Sequence, residues 1–376
     1  MQEFDFAIVG AGIAGVSAAY SLAPQAKVVV LEREHVAAYH TTGRSAALHS
    51  ETYGSPEIRA ITVASGRFYR QPPPGFADHS LLTPRGALIA GLAGQQAATQ
   101  KAAKEYAALV PSVRWLDPAE ARRRQPLLKP EACAGGAIFE EAEDMDVAAI
   151  HGGFLKGARA AGGVLRLNSE VAALDRRAGR WTIRLTDGET VAAANLLNAS
   201  GAWADVIAGL AGAKPIGLVP KRRTAFTFDA PAGLALAEMP MVIDFGETWY
   251  IKPEVGQFLG SPADETPSPP TDAQPEEIDI ARAVDRIQTA TTLQIHRIKN
   301  KWAGLRSFVT DKNLVVGYDG AVDGFFWLAG QGGYGIQTAA AAGRLAAALA
   351  MGKGLPGDIA ELGVGEAALS PVRLRS

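Results

Sequence analysis

The sequence has 376 residues, of which 48% are hydrophobic and 20% are charged, and 41 are glycines. This length is typical of two to three domains, and the apolar content is enough for a large core, which excludes a disordered or fibrous chain. The 37 basic and 39 acidic side chains leave a formal charge of −2, so no basic excess points to a nucleic-acid partner. A single cysteine, Cys133, excludes an internal disulfide and any multi-cysteine metal site made by this chain alone.

The six histidines are scattered, and none pairs at the spacing of a helical metal site, so no metal is expected. A strand-like run begins almost at the first residue, which leaves no room for a signal peptide. No apolar stretch approaches the roughly 20 residues that a membrane-spanning helix needs. The composition therefore predicts a soluble, cytoplasmic α/β protein without a membrane-spanning segment, with peripheral association at the inner membrane left open.

The N-terminal segment has the pattern of a dinucleotide-binding unit. A buried strand over 6–9 leads into a glycine turn, a helix over 16–22 and a second buried strand over 28–31, which ends at Glu32. In such a unit the first glycine permits the tight turn, the second lets the backbone approach a pyrophosphate, and the third lets the helix pack closely on the sheet. These positions are Gly10, Gly12 and Gly15.

Two further features agree with dinucleotide binding. The helix N-terminus offers unpaired N–H groups and a partial positive charge to phosphates. Glu32 is placed to accept both hydroxyls of a ribose and to repel a 2′-phosphate. The alternative is a structural turn that binds nothing. The strand, the helix, the second strand and the acid follow each other in the expected order and spacing, which favours dinucleotide binding.

Two polar or glycine-rich segments favour a flavin over a nicotinamide. The loop Thr41–Ser45 supplies hydroxyl and backbone donors to a ligand that extends beyond its pyrophosphate, although an ordinary helix cap is the alternative. Near the C-terminus a predicted strand over 325–329 opens into the glycine-rich 330–337, followed by a predicted helix over 338–351. A helix N-terminus stabilises negative charge, which the pyrimidine edge of a reduced flavin carries. A turn that serves packing alone is the other interpretation.

The remaining pattern predicts two domains of mixed structure. Extended segments over 164–167 and 169–171, a hairpin with an Asp187-Gly188 turn, and an apolar strand near 195–199 belong with the N-terminal unit. The segments between them read as a second domain made from two insertions. We predict a discontinuous Rossmann-like, α/β domain over 1–84, 141–217 and 303–376, and an α+β domain over 85–140 and 218–302 for the substrate.

Four motifs spread over almost the whole chain resemble the FAD-dependent amine oxidoreductases of the D-amino-acid oxidase group, which includes glycine and sarcosine oxidases. They lie at 10–15, 42–45, 198–203 and 332–336. Within this group, further segments are most similar to bacterial D-arginine dehydrogenases, namely 53–54, 220–223, 302–308 and 331–338. The resemblance implies a second domain whose mixed or antiparallel sheet covers the flavin.

The resemblance also implies which residues hold FAD. These residues come from both ends of the chain, and they are Gly10, Gly12, Ile13, Ala14, Gly15, Glu32, Arg33, Thr42, Gly43, Arg44, Ser45, Ala46, Val171, Gly201, Trp203, Gly332, Gly333, Tyr334, Gly335, Ile336 and Gln337. Because Cys133 lies far in sequence from every flavin motif, we expect the FAD to be non-covalent.

Six side chains carry the catalytic prediction. The resemblance makes Arg306 the group that holds a substrate carboxylate, Arg223 a second such group, and Tyr250 and Tyr53 hydroxyl donors at the pocket. Gln337 is expected near flavin and substrate. His49 stands beside the position at which D-arginine dehydrogenases have a histidine, which is Leu48 here, and a structural role is its alternative. Because alternate residues of a strand face opposite ways, Arg222 is expected to point away from the site.

One departure bears on the substrate. D-Arginine dehydrogenases carry, at the position of Ala87, the acid that recognises the basic end of the substrate. Because a buried cation without a partner is costly, we expect neutral or apolar side chains to be favoured unless another loop supplies an acid. The predicted reaction is oxidative deamination of a D-amino acid, and the resemblance favours a dehydrogenase, with a quinone or O2 as the open choice of electron acceptor. The alternatives are a glycine- or sarcosine-type amine oxidase and a tRNA-modifying or non-catalytic FAD protein.

Overall fold

The computed structural model describes residues 2–375. These residues form twenty strands, most of them short. In chain order the strands are β1 (Gln2–Val9), β2 (Val28–Leu31), β3 (Leu48–His49), β4 (Leu82–Pro84), β5 (Ala87–Leu92), β6 (Arg114–Leu116), β7 (Cys133–Phe139), β8 (Glu143–Met145), β9 (Val164–Arg166), β10 (Val171–Arg177), β11 (Arg180–Leu185), β12 (Thr190–Asn198), β13 (Val219–Asp229), β14 (Met241–Asp244), β15 (Tyr250–Glu254), β16 (Gln257–Ser261), β17 (Thr266–Pro267), β18 (Asn300–Phe308), β19 (Val315–Tyr318) and β20 (Phe325–Ala329).

Ten α-helices connect the strands within the same range. They are α1 (Ile13–Leu22), α2 (Pro56–Arg70), α3 (Gln96–Leu109), α4 (Pro118–Arg124), α5 (Val147–Ala160), α6 (Ala204–Leu210), α7 (Glu277–Ala290), α8 (Gly335–Ala350), α9 (Gly357–Ala360) and α10 (Glu366–Leu369). None of the helices in residues 2–375 has the length and apolar character that crossing a membrane requires.

The first sheet places several chain segments at one edge. It has eight strands, in the order β10-β11-β12-β1-β2-β9, with β20 beside β12 and β19 beside β20. Strands β12, β1, β2, β9 and β20 run parallel, and Val9 pairs with both Asn198 and Leu31. Since carboxyl ends of parallel strands meet at the same edge, the loops after β1, β2, β12 and β20 lie together, where such sheets bind ligands.

The second sheet has nine strands and is mixed. Its order is β17-β13-β16-β15-β14-β5-β7-β6, and β18 pairs with β13 alone. All its strand pairs are antiparallel except β14 with β5. A small third sheet joins β3, β8 and β4. The predicted α/β class with a mixed second sheet is therefore confirmed.

Separate apolar cores lie on the faces of the sheets. Helices α1, α2, α5 and α8 pack together on one face of the first sheet, around Val16, Ile61, Phe154 and Leu345, all at most 1% exposed. The second sheet packs against α7 through a core that includes Phe226. These helices present faces rich in alanine and branched aliphatic residues, whose burial is the main favourable contribution to folding.

Strand pairing departs from the predicted domain boundary at residue 303. Strand β18 pairs with β13 from Val219 opposite Phe308 to Thr227 opposite Asn300, so residues 303–308 belong to the second sheet. The sequence-based boundary places residues from 303 onwards in the flavin domain. The physical reason for the difference is that the hydrogen-bonding partner of β18 lies about 80 residues earlier in the chain.

Candidate active site

A cavity of about 380 Å³ lies between the two large sheets, a volume that is typical of small-molecule sites. Its lining comes from both sheets. One group of lining residues was predicted to bind the cofactor, and it comprises Gly12, Ile13, Ala14, Thr42, Arg44, Ser45, Ala46, Gly201, Gly332, Gly333, Gly335, Ile336 and Gln337. A second group was predicted to bind substrate, and it comprises Tyr53, Arg223, Tyr250 and Arg306.

The glycine turn after β1 is shaped so that side chains are excluded. Gly10 has a φ of +102°, and a Cβ there would lie 2.6 Å from the carbonyl oxygen of Ala199. A Cβ at Gly15 would lie 1.9 Å from the carbonyl oxygen of Gly10. Only glycine fits both positions, because one needs a left-handed backbone and the other the close approach of helix and turn.

Glu32 and His151 hold this turn in place. The Glu32 carboxylate accepts hydrogen bonds from the backbone N–H groups of Ala11 at 2.8 Å and Glu34 at 3.0 Å. His151, on α5, donates from Nε2 to the Ala11 carbonyl oxygen at 2.9 Å. Burial lowers the pKa of His151, outweighing the Ala11 hydrogen bond and the Glu32 charge, so the imidazole is the neutral donor. Sequence reasoning predicted Glu32 for a ribose and missed His151, whose contact joins residues 140 positions apart.

The loop over 41–46 connects the glycine turn to the second sheet. Thr42 Oγ1 accepts a hydrogen bond from the Ile13 N–H at 3.0 Å, and Thr41 Oγ1 donates to the Leu305 carbonyl at 2.8 Å. Arg44 donates to the Ala303 carbonyl at 2.9 Å and pairs with Asp272 at 2.6 Å. The loop predicted to contact the cofactor therefore also fixes the position of β18.

Several predicted cofactor residues lie beside the cavity without lining it. Arg33 lies over the Trp203 ring at 5.1 Å and within 3.6 Å of Glu170, which directly precedes the first residue of β10, Val171. Arg33 directly follows Glu32 after the end of β2, and Trp203 follows the end of β12. The full set of predicted residues that do not line the cavity is Gly10, Gly15, Glu32, Arg33, Gly43, Val171, Trp203 and Tyr334.

These residues fit FAD. The turn at 10–15 forms a cradle that Cβ atoms would fill, a carboxylate stands at the end of β2, and the first residues of α8 line the same cavity as Gly12. We expect the turn and the α1 N-terminus to hold the pyrophosphate and the α8 N-terminus to face the flavin ring. Cys133 lies in β7, 7% exposed and away from the cavity lining, and burial raises the pKa of its thiol. Non-covalent attachment stays a prediction that this placement supports.

Arg306 is the central cation of the substrate side. Its Nη1 donates to Glu265 Oε1 at 2.9 Å, and its Nη2 donates to the Tyr53 hydroxyl. The side chain is 11% exposed, and its guanidinium lies 5.2 Å from the Phe308 ring centre. Burial opposes the charge, but Tyr53 and Glu265 outweigh it and raise the pKa of Arg306. The side chain therefore remains a cation, which is the charge that pairing with a ligand carboxylate requires.

Arg223 shares a partner with Arg306. Arg223 Nε donates to the Asp264 carbonyl at 2.9 Å and its Nη2 donates to Glu265 Oε1 at 3.2 Å. One edge of this guanidinium is thus engaged by the loop before β17. Arg222 faces the other way, as predicted, and contacts Asp264, Glu276 and Asp279.

Both predicted hydroxyl donors line the cavity, and they differ in exposure. Tyr250, on β15, is 8% exposed, whereas Tyr53 is 40% exposed and stands near the opening. The Tyr53 ring lies 4.9 Å from that of Tyr334, which forms the N-cap of α8. Burial and the neighbouring Tyr53 raise the pKa of Tyr334 to about 12, so its hydroxyl stays protonated at neutral pH.

The structure separates two predicted residues from this group. Gln337 lines the cavity, but its side-chain amide donates to Thr62 Oγ1 of α2 at 2.9 Å. His49 is fully buried, outside the cavity lining, and its Nδ1 lies 3.9 Å from Glu143. Its neighbour Leu48 lines the cavity, and strand alternation turns His49 to the opposite face. The placement favours the structural alternative for His49.

Sequence reasoning missed several residues at the site. Glu265 lies in a segment whose composition predicts a surface loop, and nothing local to it signals a contact with Arg306. Asp244 and Glu247 lie at the turn between β14 and β15, and both line the cavity. They are acids near the site that come from a different part of the chain than β5, which carries Ala87. The only sequence signal for such acids is the missing carboxylate at Ala87 itself.

Comparison with known proteins agrees with this geometry. The family described as DAO, FAD dependent oxidoreductase, matches residues 5–349. The chain belongs to this family of FAD-dependent oxidoreductases. The predictions of FAD as cofactor and of the fold class are thereby confirmed, whereas the likeness to D-arginine dehydrogenases in particular stays a prediction.

Individual relatives are more distant. L-2-hydroxyglutarate dehydrogenase of Salmonella houtenae is 27% identical over 220 residues, which cover 56% of this chain and 51% of that protein. The chain thus spans about half the length of the curated relatives that it matches first.

Solved structures match over nearly the whole chain. L-proline dehydrogenase from P. horikoshii has a TM-score of 0.84 at 20% identity, covering 100% of this chain and 98% of that one. Glycine oxidase from Geobacillus kaustophilus has a TM-score of 0.81 at 21% identity, with coverage of 96% and 98%. At these identities the likeness shows the fold.

Proposed function

We propose that the chain oxidises the Cα–H bond of an amino acid, with Arg306 holding the substrate carboxylate, and that D-amino acids are its substrates. The observation that carries this proposal is the mostly buried, charged guanidinium of Arg306. It lines the same cavity as Gly12 of the N-terminal turn and Gly333 of the turn before α8. Glycine oxidase and L-proline dehydrogenase, which share the fold, are named for amino-acid substrates, and this supports the class of substrate.

The roles of the chain's own groups follow from their positions. When bound, FAD supplies a two-electron acceptor for the hydride that leaves Cα. Arg306 fixes the carboxylate and thereby orients Cα, and Tyr53 and Tyr250 present hydroxyls to the same ligand. The substrate amine must be neutral, because its lone pair forms the C=N bond as the hydride departs. The product is an imino acid, and water then hydrolyses it to a 2-oxo acid and ammonia.

The side-chain pocket is mainly apolar near Ala87. The lining there is supplied by Ala87, Ile89, Phe139, Met241 and Ile243. Such a wall favours neutral or apolar substrate side chains, as the sequence predicts. Of the two carboxylates further along the wall, Asp244 already accepts hydrogen bonds from Thr248, at 2.7 Å through the hydroxyl. Glu247 is the acid that would bind a basic side chain, so a comparison of D-arginine with D-methionine tests the proposed preference.

Anaerobic bleaching of the holoenzyme tests the proposal. The panel comprises D- and L-amino acids, glycine, sarcosine and 2-hydroxyglutarate, followed by admission of air to measure reoxidation by O2. We expect bleaching by D-amino acids, and Arg306→Met should lower kcat/KM about 100-fold, the value of a lost charge-assisted pair. Arg282→Met, which changes an arginine whose side chain is 61% exposed, is the matched control and should have no effect.

Other outcomes of the same panel assign other functions. Bleaching by glycine or sarcosine alone, with rapid reoxidation by air, would establish a secondary-amine oxidase. Bleaching by 2-hydroxyglutarate alone would move the substrate to 2-hydroxy acids. A yellow protein that no member of the panel bleaches would favour a tRNA-modifying or non-catalytic role, and full activity in Arg306→Met would refute the assigned anchor.

A further inference from the structure

Three cations share one carboxylate beside the cavity. Glu265 Oε1 accepts from Arg306 at 2.9 Å and from Arg223 at 3.2 Å, and Glu265 Oε2 accepts from Lys221 at 3.0 Å. The Lys221 and Arg306 cations both lie against the ring of Phe308, at 5.4 and 5.2 Å. The cluster therefore has three positive charges and one negative charge within a few ångströms.

Strand register explains why these charges converge. Lys221 and Arg223 lie two residues apart on β13, so they share a face, and Arg306 of β18 pairs directly with Lys221. On the other edge of β13 the short strand β17 pairs Thr266 with Arg222, which places Glu265 next to Arg223. All four side chains therefore lie on the face of the sheet towards the cavity or its rim.

Glu265 is held by a fixed support. The preceding residue, Asp264, accepts hydrogen bonds from the Thr224 N–H at 2.6 Å and the Thr224 hydroxyl at 3.1 Å. The following residues pair with β13, and the Ser268 N–H donates to the Pro220 carbonyl at 3.0 Å. Burial would raise the pKa of Glu265, but the Lys221 hydrogen bond and the charges of Arg306, Lys221 and Arg223 lower it, so Glu265 is ionised at neutral pH.

The carboxylate of Glu265 occupies the donors that a second ligand carboxylate would need. Lys221 Nζ and one edge of the Arg223 guanidinium are engaged by Glu265 and its loop. Arg306 also donates to Glu265 through Nη1, but it lines the cavity and its Nη2 donates to Tyr53 and not to that loop. We propose that Glu265 limits the cationic cluster to a single ligand carboxylate, so that the enzyme accepts monocarboxylates and rejects ligands with a second acidic group. This proposal rests on the proposed function, because it takes Arg306 as the carboxylate anchor.

The physical basis is charge. A second ligand carboxylate near Arg223 meets the negative charge of Glu265, and it finds the Nε–Nη2 edge of Arg223 and the Lys221 ammonium already hydrogen-bonded. Like charges at such distances disfavour binding. Removal of Glu265 leaves three cations without their partner, and frees Lys221 and Arg223 for a second carboxylate. The specificity therefore comes from repulsion by Glu265 as well as from attraction by Arg306.

Binding of butyrate and succinate to the oxidised holoenzyme tests this proposal. The two ligands have equal carbon number and differ in the second carboxylate, and their dissociation constants can be measured by calorimetry and by the flavin absorbance change. Glu265→Ala should shift the ratio of dissociation constants at least tenfold, about 1.4 kcal/mol, in favour of succinate. Glu265→Gln, which keeps the shape and removes the charge, should shift it in the same direction and serves if the alanine variant fails to fold.

Two further variants make the test specific. Lys221→Met in the Glu265→Ala background should return the ratio towards the wild-type value, since it removes a donor for the second carboxylate. Glu276→Ala is the matched control, because Glu276 contacts Arg222 on the opposite face of β13 and should leave the ratio unchanged.

The failure of this proposal is distinct from that of the proposed function. If Arg306→Met leaves butyrate binding unchanged, the anchor is wrong and the proposed function fails. If Arg306→Met weakens butyrate binding but neither Glu265 variant changes the butyrate-to-succinate ratio, only the role of Glu265 is refuted. A ratio that shifts in favour of butyrate in the Glu265 variants would overturn it as well.

Discussion

Gly333→Ala is expected to displace the Arg306 guanidinium without removing it. A Cβ on Gly333 would lie 2.1 Å from Nη2 and 2.7 Å from Cζ of Arg306, whereas ordinary contacts begin at 3.4 Å. The guanidinium must therefore move by roughly 1 Å, and a displacement of that size in a positioning group lowers a reaction rate about 100-fold. Gly333 is not among the glycines with positive φ, so alanine adds no backbone strain there.

The assay separates this effect from damage to the fold. We expect Gly333→Ala to retain FAD and thermal stability, while its dissociation constant for a monocarboxylate such as butyrate rises 10- to 100-fold, the value of about 1.5–3 kcal/mol for a charge-assisted pair. Gly304→Ala, on β18 two residues before Arg306, is the control, because its Cβ would be 3.7 Å from the nearest atoms of Arg44 and Thr41. Unchanged butyrate binding in Gly333→Ala would refute the placement of the carboxylate at Arg306.

Three further predictions concern the flavin side of the cavity. Gly10→Ala should destabilise the protein by about 1–3 kcal/mol and lower its FAD content, because φ is +102° at this position. Chemical denaturation measures the stability, and flavin absorbance measures the FAD content. Arg44→Met should lower the urea midpoint and raise the dissociation constant for FAD about tenfold, since it removes the bonds to Ala303 and Asp272; unchanged FAD affinity would contradict this. His151→Gln should flatten the pH dependence of stability. The pKa of His151 is lowered from 6.5 in the folded state, so the unfolded chain binds the extra proton below that pH and stability falls on acidification, by at most about 1.4 kcal/mol per pH unit; equal slopes for the two proteins would contradict it.

The flavin half of the site could be predicted from sequence because its signals are local. Gly10, Gly12 and Glu32 lie within 23 residues of each other, and a strand, a turn and a helix in direct succession leave few other structures. The helix after the C-terminal glycine turn was also predicted, but α8 begins at Gly335 rather than at 338. Glycine has a low helix propensity, so sequence favours a later start, whereas in the structure a Cβ at Gly335 would lie 3.3 Å from Gln331 Cβ and 3.5 Å from Ile13 Cγ2, which leaves little room for a side chain there.

The substrate half depends on contacts between distant segments. Glu265 and Arg306 are 41 residues apart, and their contact arises because β17 and β18 lie on opposite edges of β13. Composition alone predicts a solvated loop for the Asp264 segment, since no periodicity marks a two-residue strand such as β17. For the same reason the resemblance supplied Arg306 but not the carboxylate that neutralises part of its charge.

Strand β18 explains how the two halves form one site. It pairs with β13 along one edge, so its other edge would leave alternate backbone carbonyls without partners. The flavin-side segments supply those partners: Arg44 donates to Ala303, Thr41 to Leu305, and the Gly332 N–H to Ser307 at 2.9 Å.

These three bonds lie at every second residue, which is the spacing of strand carbonyls that face one edge. Arg306 lies between the last two of them. Its distance from the turn before α8 is set by the backbone hydrogen bond from Gly332 to Ser307, while the Thr41 and Arg44 side chains hold the same edge. Under the proposed function, the sheet edge therefore sets the position of the substrate carboxylate relative to the flavin. A variant that loosens this edge, such as Arg44→Met, should weaken FAD and carboxylate binding together, whereas Gly333→Ala should weaken carboxylate binding alone.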